Sequence, residues 1–258
     1  MKINKRQSEI VELVDEKRQM SVKDLAEITG VSEVTIRKDL DLLSDYGILI
    51  RHHGYALKKN TADITNRLSI NYETKCKIAK RANQLIGFNE TILIGSGSTC
   101  ALLAEEIVKT KPNVTIITHS IYIAEHASKL GNNKIILLGG EYQPDAQVMV
   151  GPLVRSSVRQ YYVDKIFLGT DGFAKNIGFM GSDVLRTEAV KNMAESARSI
   201  IILTDSSKFS KRGLLVQFSQ KTPARIITDS KLPEEYQELF KEIGVPLTLV
   251  DWFFVWES

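Results

Sequence analysis

Apolar residues recur at three-and-four spacing through the first sixty positions and then give way to short continuous apolar runs, which divides the chain in two. In the first part, Ile10, Leu13 and Val14 share one side of a helix predicted over 4–16. A second helix follows Ser21, whose side chain can accept from free N–H groups of the opening turn, and ends at Gly30. Ser32 caps a third, in which Ile36, Leu40 and Leu43 line one face while Glu33, Thr35, Arg37, Lys38 and Asp41 occupy the other. Gly47 stops that helix, 48–50 reads as a short strand, and Arg51-His52-His53-Gly54-Tyr55 reads as a hairpin turning at Gly54. Three helices and a basic ribbon predict a winged helix-turn-helix.

Beyond the polar stretch 58–63 the pattern changes. Residues 71–85 form one amphipathic helix, after which apolar, β-branched runs at 91–94, 114–118, 134–138, 165–168, 200–204, 225–228 and 247–250 alternate with helical segments at 101–109, 121–129, 184–198 and 234–243. That alternation predicts a mostly parallel, Rossmann-like α/β domain with helices on both faces of its sheet. The expected division is therefore a winged helix-turn-helix over 1–57, a linker over 58–70 and an α/β domain over 71–258.

Composition narrows the picture only slightly. With 258 residues, 43% hydrophobic and 25% charged, the chain suits two globular domains, and its net charge of +3 selects no partner. Cys76 and Cys100 lack metal-ligand spacing, and no signal-peptide pattern is seen, so free thiols in a reducing cytoplasm are expected. No apolar run reaches the roughly twenty residues of a membrane span. Neither metal nor cofactor is expected.

The third helix has the character of a groove-binding element, with N-terminal side chains placed to reach base edges and basic residues placed to reach phosphates. Thr35 and Arg37 are the expected base readers, with Ser21, Ser32, Glu33 and Lys38 beside them and Arg51, His53 and Tyr55 on the wing. Local charge leaves a protein-docking role open, because residues 1–60 carry eleven Lys/Arg against ten Asp/Glu. DNA binding then requires the basic residues to gather on one face.

In the α/β domain, ligands are expected beyond the carboxyl ends of the strands. The first strand is followed by Gly95-Ser96-Gly97-Ser98-Thr99 and then directly by a helix. Small residues let the backbone approach an anion, and free N–H groups with the Ser98 and Thr99 hydroxyls can donate to phosphate oxygens. A tight turn is the alternative, and the loop lacks the Gly-Lys-Ser/Thr of a nucleotide-binding P-loop. Other strand ends supply His119-Ser120, Gly139-Gly140, Gly169-Thr170-Asp171-Gly172 and Asp205-Ser206-Ser207-Lys208, and one helix supplies Glu188 and Lys191 on one face. Donors, carboxylates and lysines in that mixture suit a phosphorylated polyol or sugar. Each has a structural alternative: His119 a satisfied loop histidine, Asp171 a turn residue, Glu188 and Lys191 a surface ion pair, Lys208 a solvated side chain.

The run Val31-Ser32-Glu33-Val34-Thr35-Ile36-Arg37-Lys38-Asp39-Leu40, followed by Gly47, Leu49, Arg51, His53 and Gly54, resembles the DeoR family of bacterial transcriptional regulators. The resemblance continues through Gly97-Ser98-Thr99, Gly139-Gly140, Gly169-Thr170-Asp171-Gly172, Glu188-Ala189-Val190-Lys191 and Asp205-Ser206-Ser207-Lys208. Departures from the family pattern are Tyr55 in place of a second wing glycine, Gly95 in place of Asp and His119 in place of Asn. The resemblance implies an effector domain similar in fold to ribose-5-phosphate isomerase. It also implies a phosphorylated sugar or polyol effector held by Gly97, Ser98, Thr99, His119, Ser120, Gly140, Asp171, Gly172, Glu188, Lys191 and Lys208.

The expected protein is a cytoplasmic, homo-oligomeric repressor of a sugar or polyol operon that binds double-stranded operator DNA, with effector binding changing the orientation of its winged helices within the oligomer. In this reading no residue is catalytic. The alternative is an isomerase-like enzyme carrying a DNA-binding module, with Glu188 or Asp171 as general base. The aromatic tail 251–256, which holds both tryptophans, is expected either to pack on its own domain or to form a subunit contact.

Overall fold

In the computed structural model, residues 3–58 and 64–250 are described. The aromatic tail lies outside them, so both of its expected roles do too. The chain forms two compact units that divide at Tyr72.

In the first unit α1 (Lys5–Lys17) is opened by Asn4, whose side chain accepts from the Gln7 N–H while the Gln7 side chain accepts from the Asn4 N–H. There follow β1 (Gln19–Ser21), α2 (Val22–Thr29), α3 (Glu33–Asp45), β2 (Leu49–His52), β3 (Tyr55–Lys58) and α4 (Ile64–Ser69). Ser21 and Ser32 cap α2 and α3 as expected, and Gly30 ends α2 in the left-handed region at φ 69°. Ile10, Val11, Val14, Leu25, Ile36, Leu40, Leu43 and Ile48 are fully or almost fully buried, so the three helices enclose one core.

The wing is better supported than a lone hairpin. Strand β1, which the sequence pattern does not reveal, pairs antiparallel with β3 and completes a three-stranded sheet in the order β1-β3-β2. His52 pairs with Tyr55, leaving His53-Gly54 as a two-residue turn with φ 39° and 82°. Positive φ at both positions defines the tight hairpin turn whose twist matches its strands, and the Val22 N–H donates to Gly54 O at 2.9 Å.

The segment expected as a linker over 58–70 differs from that expectation. It contains α4, whose Ile64 and Leu68 are buried, and it returns to α1 through Ser8 Oγ donating to Ser69 O (2.9 Å) and Asn71 N donating to Glu12 Oε1 (3.1 Å). Polar composition at 58–63 marked the start of this excursion, while burial of isolated apolar residues beyond it fixes the rest.

Asp39 lies among the apolar residues of α3 and is almost fully buried. Its carboxylate accepts from Arg6 Nε at 2.7 Å and Gln7 Nε2 at 2.9 Å, which fastens α3 to α1. Asp39→Ala is expected to destabilise this unit by about 1–3 kcal/mol, because the buried Gln7 amide loses its acceptor. Denaturant unfolding with unchanged midpoint would show that the junction contributes nothing.

The second unit runs α5 (Tyr72–Asn83), β4 (Thr91–Ile94), α6 (Ser98–Thr110), β5 (Thr115–Thr118), α7 (Ile121–Leu130), β6 (Ile135–Leu137), β7 (Glu141–Gln143) and β8 (Val148–Val150). It continues through α8 (Pro152–Val158), β9 (Val163–Leu168), β10 (Gly172–Ala174), β11 (Gly178–Gly181), α9 (Val184–Ala194), β12 (Ala197–Leu203) and β13 (Leu215–Phe218). It ends in β14 (Arg225–Asp229), α10 (Glu234–Glu242) and β15 (Leu247–Val250). Seven strands form one parallel sheet in the order β15-β14-β12-β9-β4-β5-β6. These are the seven apolar runs of the sequence. The helix expected over 184–198 is shorter than predicted, since α9 stops at Ala194 and 197–198 already belong to β12, paired with β9 from Ala197 onward.

From β4 the chain steps through β5 to the β6 edge, then returns to the other side of β4 and proceeds from β9 to the opposite edge. The direction of winding therefore reverses between β4 and β9. In a sheet of this kind the crevice beyond the carboxyl ends at that reversal is the natural ligand site. Two smaller antiparallel sheets, β7-β8 and β10-β11-β13, lie outside the main sheet. The second is held by aromatic packing in which Phe173 meets Phe179, Phe209, Tyr236 and Phe240 with ring centroids 5.1–5.7 Å apart.

Candidate functional site

At the reversal, Gly95 at the end of β4 lies so close to β9 that a Cβ would meet Leu168 Cδ2 at 2.6 Å. Its N–H donates to Phe167 O at 2.9 Å. The chain then turns through Gly97 with φ 108° and ψ 163°, a region open almost only to glycine, and enters α6. No side chain caps α6, whose first residues Ser98 and Thr99 are both buried. Among the described residues neither hydroxyl has a hydrogen-bond partner. Backbone donors, a helix N-terminus and two hydroxyls thus converge where a phosphate would be held.

Around this loop the other strand ends are unequal. His119 and Ser120 follow β5, the neighbour of β4; Ser120 caps α7, accepting from Ile123 N at 3.3 Å. His119 is fully buried, with Nδ1 3.1 Å from Met149 O. A carbonyl only accepts, so Nδ1 carries the proton and Nε2 is an acceptor; that atom is buried with no partner among the described residues. Burial drives the imidazole down to about 4, with the Arg186 charge adding to the effect and the Met149 carbonyl opposing it.

Asp171 follows β9 and its Oδ2 accepts from Ser182 N (3.1 Å) and Ser182 Oγ (2.7 Å), which ties the β9 end to the approach to α9. Gly140 and Gly172 serve close packing: a Cβ would meet Val150 O at 2.5 Å in one and Lys211 O at 2.4 Å in the other. Glu188 and Lys191 are exposed on α9 and form no ion pair with each other among the described residues.

At the end of β12, Asp205 is buried and opens the 3₁₀ turn Ser206–Lys208. Burial pushes its carboxyl up, but the Lys75 and Lys208 charges and donors from Ser207 outweigh this and hold it below the usual range. Asp229, at the end of β14, fixes the same turn by accepting from Ser206 N at 2.7 Å and Ser206 Oγ at 2.9 Å. Lys75 is a functional candidate that the sequence reading passed over, and it stands beside the Asp205 that the strand-end motif supplied. Lys75 stands three and four positions before Ile78 and Ala79 on the buried face of α5, and a lysine in that place was the available signal.

On the first unit most of the expected DNA-facing residues are solvent-exposed. Ser32, Glu33, Arg37 and Lys38 are exposed on α3, Thr35 and Ser21 are half-buried, and Arg51, His53 and Tyr55 are exposed on the wing. Arg51 pairs with Asp41, which joins wing to α3. Arg37 pairs with Glu33 at 2.7 Å, an exposed contact of the kind that contributes little and is readily exchanged for a guanine edge. Val34, 59% exposed beside Thr35, was not foreseen; an apolar side chain on the polar face is its signal, and a thymine methyl is the matching contact. Arg37→Ala is expected to weaken operator binding by about 1–3 kcal/mol and relax base preference at one position. Unchanged affinity across operator variants, measured by fluorescence anisotropy, would remove it from the contact set.

A winged helix with an exposed polar recognition face, ahead of a parallel α/β domain with an anion-suited loop at its winding reversal, is the organisation of a ligand-responsive DNA-binding regulator. Residues 6–61 match the DeoR-like helix-turn-helix domain and residues 70–230 match the DeoR C terminal sensor domain. The chain belongs to the DeoR family of transcriptional regulators. It is 30% identical over 253 residues to the HTH-type transcriptional regulator GolR of Listeria innocua, covering 95% of this chain and 98% of GolR. It is also 30% identical to the HTH-type transcriptional regulator IolR of Bacillus subtilis, over 88% of this chain and 92% of IolR. The glycerol-3-phosphate regulon repressor of Escherichia coli is 25% identical over 96% of this chain and the whole of that protein. Among solved structures, ribose 5-phosphate isomerase A of Methanocaldococcus jannaschii aligns over 54% of this chain and 55% of its own at 23% identity, with a TM-score of 0.41. Among the described residues no helix is long and apolar enough to cross a membrane.

Proposed function

We propose that this protein represses a sugar or polyol operon and releases its operator when a phosphorylated sugar or polyol occupies the crevice between β4 and β9. The carrying observation is the Gly97-Ser98-Thr99 entry to α6, whose donors are unengaged at the point where the sheet reverses. Lys75 and Lys208 around Asp205 add cationic charge at the end of β12. The names of the relatives, one of them the repressor of a glycerol-3-phosphate regulon, support the same effector class. Ser32, Thr35, Arg37 and Lys38 on α3 would enter the major groove of double-stranded operator DNA, with the wing on the adjoining backbone. Repeated half-sites and a homo-oligomer would follow from that mode of binding, and a cytoplasmic location suits it.

The isomerase reading lacks a held base: Glu188 is exposed and Asp171 Oδ2 is engaged by Ser182. The test is a thermal-shift screen of the full chain against phosphorylated sugars and polyols, with operator affinity measured beside each hit. The proposal expects at least one ligand that raises the melting temperature and weakens operator binding. Ligands that are turned over would replace it with the enzyme, and stabilisation without any change in operator affinity would remove the switch.

A further inference from the structure

We propose that His119 and Arg186 form a second subsite of the effector pocket, one that reads a hydroxyl-bearing end of the ligand away from its phosphate. The inference rests on the phosphorylated effector proposed above and assigns what that reading leaves open, namely how one sugar phosphate is told from another.

The starting observation is an unanswered acceptor. His119 lies at the carboxyl end of β5, one strand from the Ser98-Thr99 loop, and is fully enclosed. Its Nδ1–H is committed to Met149 O on β8, which fixes the tautomer and leaves the Nε2 lone pair without a donor. A buried acceptor with no donor costs free energy that a ligand hydroxyl would recover. The phosphate group of an organic phosphate cannot supply it, because a phosphate monoester dianion has no proton to give.

Arg186, in the first turn of α9, brings positive charge to the same place. Among the described residues its guanidinium makes one long hydrogen bond, from Nη1 to Gln143 Oε1 at 3.4 Å, and Gln143 Nε2 in turn donates to Asp183 Oδ1 at 3.4 Å. A neutral acceptor beside a loosely held guanidinium matches a vicinal pair of oxygens: one hydroxyl donates to Nε2 and its neighbour accepts from Arg186. That pairing is the recurring unit of polyols and sugars. Since Nε2 is closed off, a ligand reaches it only when the surrounding side chains move, and engagement of Arg186 by the same ligand would reposition the start of α9.

The test compares inorganic phosphate, glycerol 3-phosphate, fructose 6-phosphate and sorbitol 6-phosphate by isothermal titration with the wild-type full chain, His119→Leu and Arg186→Met. Inorganic phosphate is expected to bind all three proteins alike. At least one of the sugar or polyol phosphates is expected to bind the wild type more tightly than phosphate does and to lose about tenfold in either variant. If the variants keep the wild-type preference, or if no organic phosphate exceeds inorganic phosphate, the subsite is overturned while the phosphate loop stands. Failure of every probe, phosphate included, would remove the effector reading itself and this inference with it. Should His119→Leu fold poorly, His119→Phe, which also lacks an acceptor, serves the same comparison, with the unliganded melting temperature as the check on folding.

Discussion

Replacing Ser98 and Thr99 together by leucine is expected to abolish the effector response while leaving operator affinity at its wild-type value. Both side chains are buried at the mouth of α6, and neither hydroxyl is engaged within the protein among the described residues. Two charge-assisted hydrogen bonds to a phosphate contribute about 1.5–3 kcal/mol each, so their loss raises the dissociation constant at least roughly a hundredfold. The leucines also fill the space into which the phosphate would settle. In the proposed mode operator binding belongs to α3 and the wing, whose core of Ile10, Leu25, Ile36, Leu40 and Leu43 is built within the first unit. The measurement is operator affinity with and without a ligand found in the thermal-shift screen. Because leucine overfills two buried positions, Ser98→Ala with Thr99→Val is the companion variant, nearly matched in volume and lacking both hydroxyls. A normal response in the companion would sink the phosphate cradle, and a loss in both would support it.

The parallel sheet was legible in the sequence because strands buried on both faces must be apolar along their whole length. Runs such as Ile92-Leu93-Ile94 and Ile116-Ile117 are buried to the last residue. The antiparallel strands β10, β11 and β13 were not legible. They are three or four residues long, they include Gly172, Gly178 and Gly181, and their burial comes from aromatic rings contributed by distant segments. The overrun of α9 has a related cause: Glu195 to Arg198 suits a helix locally, while pairing of Ala197 with Val163 makes it a strand.

The site divides in the same way. Gly97, Ser98 and Thr99 were readable because their chemistry is local, a glycine turn followed by the free end of a helix. Asp205 beside Lys75 and Asp39 beside Arg6 and Gln7 depend on segments far apart in the chain. A lysine or aspartate on an amphipathic helix reads as a solvated residue until the helix facing it is known. Gly140 and Gly172 show the converse. Glycines near the strand ends suggested ligand approach, and the structure places neighbouring backbone within 2.4–2.5 Å of where their Cβ atoms would stand.

Acidification should destabilise this protein through His119 before most carboxylates respond. The folded state holds the imidazole at about 4, whereas an unfolded chain takes up its proton near the ordinary value of 6.5. The folded pKa is thus the lower of the two, so the neutral side chain's contribution is complete above pH 6.5 and falls away as pH drops towards 4. Integrated over that window the loss is about 3 kcal/mol, a large share of the stability of a typical domain. Arg186 repels the charged form and so acts in the same direction as burial, while Met149 O, which accepts from Nδ1–H, favours the charged form and opposes them without outweighing them. In His119→Asn the titrating group is gone. Urea unfolding of wild type and variant at pH 7, 6, 5 and 4.5 should therefore give curves that converge as pH falls, the wild type losing stability faster by up to that amount. Depressed carboxylates such as Asp205 titrate in both proteins and cancel in the difference. Parallel curves across the window would show that His119 takes up its proton as readily in the folded protein as in water, and would contradict its enclosure at the end of β5.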